Sequence, residues 1–409
     1  MMTSLLFVAA LIPGAGDPGE AARSTEQEAT YDGLTLAEWR IRIKSLDLKD
    51  PACAEAVPGL IAIVSDRRAS WVSRRQAAET LGRLGSLAPE GVAVLLKTID
   101  EESPDEIPPR IWSLKALSLY GPVARAAAPR LLKILRDPTR PLIERQLSLE
   151  ALAQIGPTQP LVLPALIALL QFPEGGERPA AAAGTSASDQ RELRELAVET
   201  FTLIGPNGAP AIPSLVRLAH DSSDVLRMKV AQALGAMGSR AEIAIPTLVE
   251  LLVLDDVDFV RDAAAAGLAK VGLEAVPTLI QLLEVDEPAV RWRAAEALGQ
   301  TGRAGRAAVD PLTQRLQDDS SEVRIRAAEA LWKLTRDGLQ AAPSAALLLG
   351  DEDRQVRLRA FRLLTSMGPR ASAAVPQLEL LERDERGQVR EAARRVKERI
   401  ARKPNETER

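Results

Sequence analysis

The chain has 409 residues, a formal net charge of −4 and one cysteine; apolar residues make up 46% of it and aromatic residues only 3%. Mild acidity argues against a general nucleic-acid binder, and Cys53 alone excludes an intramolecular disulfide or a CxxC redox centre. An apolar set dominated by Ala and Leu suits closely packed helices and suits strands poorly.

The apolar run Leu5 to Ile12, followed by the small residues Gly14, Ala15 and Gly16, has the shape of a secretory signal peptide over residues 1–22. It is too short to span a membrane. It carries no Lys or Arg ahead of the apolar run, so a mis-started or unstructured N-terminus is the competing reading. Residues 23–35 read as a linker, residues 36–403 as a repeat array and residues 404–409 as a tail.

Beyond residue 35 one pattern recurs about every 30 to 36 residues. A first helix, A, ends in Leu-x-x-x-Gly, and an Ala/Val-Pro-x-Leu motif opens a second helix, B. The closing glycines are Gly85, Gly121, Gly156, Gly205, Gly238, Gly272, Gly302 and Gly368, with Thr335 standing in once. Glycine suits these places because it closes a helix in the left-handed conformation. The prolines are Pro58, Pro89, Pro129, Pro164, Pro213, Pro246, Pro277, Pro311, Pro343 and Pro376, which fit the first turn of helix B.

Four residues before the close stands a large apolar side chain, such as Leu81, Phe201 or Leu298. The residue after it is small, as at Gly82, Ala153, Gly235 and Gly299, and large beside small suits close stacking of helices. Trp332 breaks the rule in a repeat whose B helix is unusually small, Pro343-Ser344-Ala345-Ala346, so the indole is expected to fill that space.

Eleven residues before each close an arginine recurs: Arg74, Arg110, Arg145, Arg194, Arg227, Arg261, Arg291, Arg324 and Arg357, with Arg390 in the last helix. Asp221, Asp255, Asp286, Asp318, Asp351 and Asp384 precede the later ones by five or six residues. Asp can cap exposed N–H groups and Arg can reach both Asp and backbone carbonyls, so the pair predicts a structural ladder along one edge. The bland alternative is a row of solvated arginines, each worth little.

The Asp/Arg pair, the helix Val290-Arg291 to Gly302 and the Ala-Val-Pro-x-Leu helices resemble HEAT repeats, the short bacterial kind grouped with phycobilin-lyase repeats. The resemblance covers about residues 36–400. It implies an all-α, right-handed superhelical solenoid of about ten helix pairs, serving as a docking scaffold rather than a catalyst. Tyr31-Asp32-Gly33 with Trp39 resembles the lead-in of exported HEAT proteins, and is expected to cap the first layer.

Three B-to-A connections are long: Glu101 to Pro109, Asp137 to Pro141, and 173–188, whose composition is that of a flexible insertion and which could divide the array. The last helix, Gln388 to Arg402, has the polar character of a terminal cap.

No catalytic, cofactor or metal constellation is legible. His220 is the sole histidine, Cys53 lies several repeats away, and the glycines are spaced as helix stops rather than as a phosphate loop. A protein partner is the expected ligand, on a concave face lined by B helices. Candidate contacts are Arg130, Lys133, Arg136 and Arg217, then Glu250, Gln281, Glu284, Glu379 and Glu382, a basic-to-acidic progression that could orient an extended partner. An exported scaffold is the leading reading. A cytosolic regulatory scaffold, a HEAT-like nucleic-acid binder and a bilin-lyase-like protein are the alternatives.

Overall fold

The computed structural model describes residues 30–48, 50–100, 107–156, 161–171 and 186–401. The signal-peptide segment, most of the 23–35 linker and of the 173–188 insertion, residues 101–106 and the 404–409 tail lie outside the described residues.

The described chain is helical apart from a hairpin, β1 (Thr30–Tyr31) and β2 (Leu34–Thr35), which the all-helical expectation did not include. Asp32 and Gly33 both take positive φ, the geometry of a tight two-residue hairpin turn. The hairpin leads into α1 (Leu36–Ser45), whose start is fixed by a reciprocal Thr35/Glu38 capping box. Trp39 of α1 is buried, donates its indole N–H to the Tyr31 carbonyl at 2.7 Å, and lies against Gly59.

The helices that follow alternate as B and A. They are α2 (Val57–Ser65), α3 (Trp71–Leu84), α4 (Gly91–Ile99), α5 (Ile107–Tyr120), α6 (Ala128–Arg136), α7 (Leu142–Ile155), α8 (Val162–Leu170) and α9 (Ala187–Ile204). They continue as α10 (Ile212–Leu218), α11 (Asp224–Ala236), α12 (Ile245–Leu254), α13 (Asp258–Val271), α14 (Val276–Leu282) and α15 (Pro288–Gln300). The last are α16 (Val309–Gln314), α17 (Ser321–Thr335), α18 (Ala341–Leu347), α19 (Arg354–Met367), α20 (Val375–Leu381) and α21 (Gly387–Ala401). The chain forms two compact units, Met1–Ala197 and Val198–Arg409, which meet in sequence within α9. In each unit a helix packs on its pair partner and on the equivalent helix of the neighbouring layer, the one-dimensional logic of a solenoid.

All eight closing glycines have positive φ, from 54° at Gly85 to 103° at Gly156. Where no glycine is available, α17 runs through Thr335, and Arg336 takes the left-handed conformation instead (φ 55°). The residue expected to close that helix is therefore its last helical residue. The A-to-B connections are also more than tight turns: Gly121–Ala127, Gly205–Ala211, Gly238–Ala244, Gly302–Ala308 and Gly368–Ala374 are 3-10 segments that carry the chain into helix B.

The large residue four before each close is at most 1% exposed in every layer, from Leu81 to Leu364. Each such burial contributes about 1.5–3 kcal/mol. The small residue beside it faces a second small residue, five before the close of the next layer. A Cβ on Gly82 would lie 2.6 Å from the Ala116 carbonyl oxygen, one on Gly235 2.6 Å from Gly267 Cα, and one on Gly299 2.8 Å from Ala330 Cα. Gly235→Ala therefore sets a helix-propensity gain of about 1 kcal/mol against an overpacking cost of about 1–3 kcal/mol. The obstacle is backbone and cannot swing aside, so we expect a net loss and a lower Tm. A raised Tm would show that the two helices can part freely.

Candidate functional site: an arginine ladder and an exposed helix row

The ladder arginines sit near the start of each A helix. In unit 2 their geometry is nearly uniform. Nη1 of Arg227 donates to the Asp221 carbonyl (3.1 Å), that of Arg291 to Val285 and Asp286 (3.0 and 2.7 Å), and that of Arg324 to Asp318 and Asp319 (2.8 and 3.1 Å). Arg357 reaches Asp351 and Glu352 (both 2.8 Å), and Arg390 reaches Asp384 and Glu385 (2.7 and 2.8 Å). Each arginine thus holds carbonyls of the turn that follows helix B.

The other edge of the guanidinium reaches one layer onward. Arg227 binds both oxygens of Asp255 (2.7 and 3.0 Å) and Arg291 both oxygens of Asp318 (2.9 and 2.8 Å), while Arg324 lies 3.8 Å from Asp351. Each acidic side chain also accepts the N–H two residues on: Ser223 on Asp221, Val257 on Asp255, Ser320 on Asp318, Asp353 on Asp351 and Arg386 on Asp384, at 2.8–3.0 Å. These are Asx turns ahead of the helix rather than the helix caps expected from sequence. Asp286 is the exception for a covalent reason: two residues on stands Pro288, which has no N–H. There Arg261 turns to Glu287 (2.5 Å) and to the Leu252 carbonyl (3.0 Å).

In unit 1 the arginines also reach carbonyls of the preceding helix B. Arg74 donates to the Val64 carbonyl and Arg145 to the Leu135 carbonyl, both at 3.0 Å. Arg110 lies 3.3 Å from Glu144, a carboxylate with no exposed surface that also pairs with Arg140 at 3.1 Å. Arg194 is buried.

Desolvation acts to raise the Asp255 carboxyl, but the Arg227 and Val257 hydrogen bonds and the Arg227 charge outweigh it, leaving it below the ordinary carboxylate value. Asp318 is lowered in the same way by Arg291, Asp319 and Ser320 against its desolvation. A carboxyl depressed in the folded state contributes stability that is present above its unfolded value of about 4 and is lost as pH falls through the lower folded value. We expect Tm to hold from neutral to mildly acidic pH and to fall steeply below about pH 4, less steeply in Asp255→Asn. An identical acid slope for wild type and variant, in melts across a pH series, would contradict this.

A second basic row escaped the sequence reading. Two residues after the ladder position, Lys229, Arg293, Arg326 and Arg359 each pair backward with the preceding layer. Lys229 reaches Glu199 (2.9 Å), Arg293 reaches Asp258 and Asp262 (both 2.7 Å), Arg326 reaches Glu296 (2.7 Å) and Arg359 reaches Glu329 (3.5 Å). Trp292 lies under two of these guanidiniums, Arg293 at 4.3 Å and Arg326 at 4.8 Å. Burial pushes the Glu329 carboxyl up, against the charges of Arg359 and Arg326. The fixed two-residue offset was the available signal.

The predicted partner-contact residues divide into engaged and open ones. Arg130 is paired with Asp100, while Lys133 and Arg136 are exposed and line a groove of about 540 Å³ with Leu132, Leu161 and Pro164. In unit 2, Arg217 is exposed and donates to the Ser214 hydroxyl (3.0 Å); Glu250 lies 3.7 Å from His220, and Glu284 3.5 Å from Arg315. Glu379 and Glu382 are both held by Lys397, at 3.4 and 3.1 Å. Four residues after each helix-B proline, unit 2 presents Arg217, Glu250, Gln281, Arg315, Leu347 and Leu380. This row ends in two leucines 60% and 68% exposed, while the acidic residues expected from sequence at Glu379 and Glu382 lie beside it.

The Cys53 thiol donates to the Asp47 carbonyl at 2.9 Å, and burial pushes its pKa up, which suits a structural thiol. Among the described residues no group of three His, Cys, Asp or Glu side chains is arranged to hold a metal. Among them, too, no single helix is long and apolar enough to cross a membrane.

Stacked A/B helix pairs, left-handed closures and an inter-layer arginine ladder define a helical-repeat protein. The family model for HEAT repeats matches residues 179–269, 260–332 and 309–396, more than half of the chain. The chain belongs to the HEAT-repeat family. It is similar in fold to the karyopherin Kap121p bound to the extreme C-terminus of the protein phosphatase Cdc14p, at 14% identity over 86% of this chain and 45% of that one, with a TM-score of 0.44. The likeness to Kap121p alone is at 13% identity over 88% of this chain and 42% of that one, with a TM-score of 0.47. A further similar structure is the complex of CpcE and CpcF of phycocyanin lyase from Nostoc sp. PCC7120, at 23% identity over 38% of this chain and 98% of that one, with a TM-score of 0.30. The chain spans less than half the length of the karyopherins. A search of the curated proteins found no match.

Proposed function

We propose that the chain is a non-catalytic protein-interaction scaffold that holds its partner along the exposed face of its B helices. The observation that carries this reading is the recurrence of an outward side chain at one register, four residues after the helix-B proline, in layer after layer. Repetition at a fixed rise presents an extended ligand with evenly spaced contacts, and it does not build a single reaction centre. Membership of the HEAT-repeat family supports the same reading. Of the unit 1 cations predicted to contact a partner, Lys133 and Arg136 are open, since Arg130 is already paired with Asp100.

The test is crosslinking in the native cell with wild type and a Lys133→Glu/Arg136→Glu variant, followed by identification of the captured proteins. Loss of a specific partner from the variant, with Tm unchanged, is the expected result. Equal capture of the same partners would refute this surface. Export is part of the proposal and rests on the apolar run Leu5 to Ile12. Sequencing the N-terminus of the mature protein tests it: cleavage near residue 22 is expected, and an intact Met1 in the cytosolic fraction overturns it.

A further inference from the structure

The ladder changes hands at its end. In each earlier layer of unit 2 from Arg227 onward, the arginine reaches the acidic side chain of the next layer: Arg227 to Asp255, Arg261 to Glu287, Arg291 to Asp318 and Arg324 to Asp351. Arg357 does not. The carboxylate that would answer it, Asp384, is clasped by Arg386 through both oxygens at 3.1 Å, and Arg386 also donates to the Gly350 carbonyl at 2.8 Å. Arg357 keeps only its two carbonyl bonds through Nη1, so Nε and Nη2 have no protein acceptor among the described residues.

That guanidinium opens into a groove of about 760 Å³ between the starts of α19 and α21. Its walls mix Leu358, Phe361 and Val389 with Arg354, Arg357 and Arg386. Leu358 is 39% exposed, although it sits among charged neighbours. Arg354 is exposed and makes no ion pair among the described residues. Glu352 is the one acidic residue in the lining, and Arg386 is already paired with Asp384, so Arg354 and Arg357 stand against one glutamate.

We infer that this groove is a docking site for an acidic, extended peptide segment of a partner protein, in which one carboxylate takes the free edge of Arg357, a second meets Arg354, and an apolar side chain between them covers Leu358 and Phe361. The recognition is the ladder's own chemistry turned outward. A guanidinium edge that elsewhere binds an internal carboxylate is here matched to one from another chain, and such charge-assisted pairs are stronger than neutral ones. Charge complementarity selects an acidic segment, and the apolar wall selects against a purely polyanionic one. This surface lies on A helices and is independent of the B-helix surface proposed above.

The test uses the full chain and a fluorescein-labelled nonapeptide of glutamates around a central leucine, read by fluorescence anisotropy at low salt. Binding is expected, weakened about ten-fold or more by Arg354→Glu and by Arg357→Gln, and by replacing the glutamates with glutamine. The Arg354 side chain makes no hydrogen bond or ion pair among the described residues, so Arg354→Glu reports on the groove even if Arg357→Gln loosens the turn. The Lys133→Glu/Arg136→Glu variant should bind the peptide as wild type does. No binding of the acidic peptide, equal binding to Arg354→Glu, or loss in the Lys133/Arg136 variant alone would overturn the assignment.

Discussion

Asp318→Ala will destabilise unit 2 by about 3–5 kcal/mol. Asp318 is 9% exposed and Arg291 6%. Its carboxylate binds Arg291 through two hydrogen bonds and accepts the Ser320 N–H at 3.0 Å. Alanine leaves the Arg291 guanidinium short of its buried acceptor and frees the turn before α17. Asp319, at 2.5 Å from Arg291 but largely exposed, offers partial compensation. An exposed ion pair would be worth less than about 1 kcal/mol, so the size of the loss decides between an integral ladder and a solvated row. Because long arrays can unfold piecemeal, amide hydrogen exchange in α15 and α17 should accompany the denaturant melt. A loss under about 1 kcal/mol, with unchanged exchange in both helices, would contradict the ladder.

Trp332→Ala is expected to cost about 3–5 kcal/mol as well. Trp332 stands on α17, which packs against α18, where Ala341, Ala342, Ala345 and Ala346 are all fully buried. Four methyl groups occupy little volume, and the indole, itself 7% exposed, stands three residues before the helix end, a register held by Gly, Ala, Ser or Thr in every other layer. Arg336 lies over its ring at 5.6 Å, at the helix end where glycine is missing. Removing the indole should open a cavity that alanines cannot refill, and Trp332→Phe should recover part of the loss. An unchanged melting temperature for Trp332→Ala would show that this layer packs without the ring.

The sequence was most legible where one residue type has a single physical use. A closing glycine at Gly238 or Gly302 announces a left-handed backbone, and Pro246 or Pro277 announces a first helical turn; both kinds of mark fall where expected. Thr335 misled because the requirement passed to Arg336, which pays for positive φ in a place where glycine would not. The ladder arginines were legible by register, whereas their partners were only half so. Asp318 was seen as the residue preceding Arg324, but its carboxylate belongs to Arg291 of the layer before, a pairing across layers that spacing within one repeat does not reveal.

Exceptions in the ladder each trace to a particular residue. Pro288 denies Asp286 its turn, a buried Glu144 pairs with Arg110, and Arg386 intercepts Asp384. The outer row of Lys229, Arg293, Arg326 and Arg359 was missed because solvated lysines and arginines are common on helices; what distinguishes it is burial of Arg293 and Arg326 beside Trp292. Of the partner-contact candidates, Lys133 and Arg217 are open, whereas Arg130 and Glu382 are already engaged, since neutralising partners arrive from other helices, Asp100 from the preceding layer and Lys397 from α21.

A double-mutant cycle on Arg291 and Asp318, with Arg291→Met, Asp318→Leu and the pair together, tests most directly whether arginine-to-acid contacts tie each layer to the next. Coupled layers predict an interaction energy of about 2 kcal/mol or more, the double variant being far less damaged than the sum of the singles. Single effects that add to within about 0.5 kcal/mol would mean that the layers are held together by apolar stacking alone.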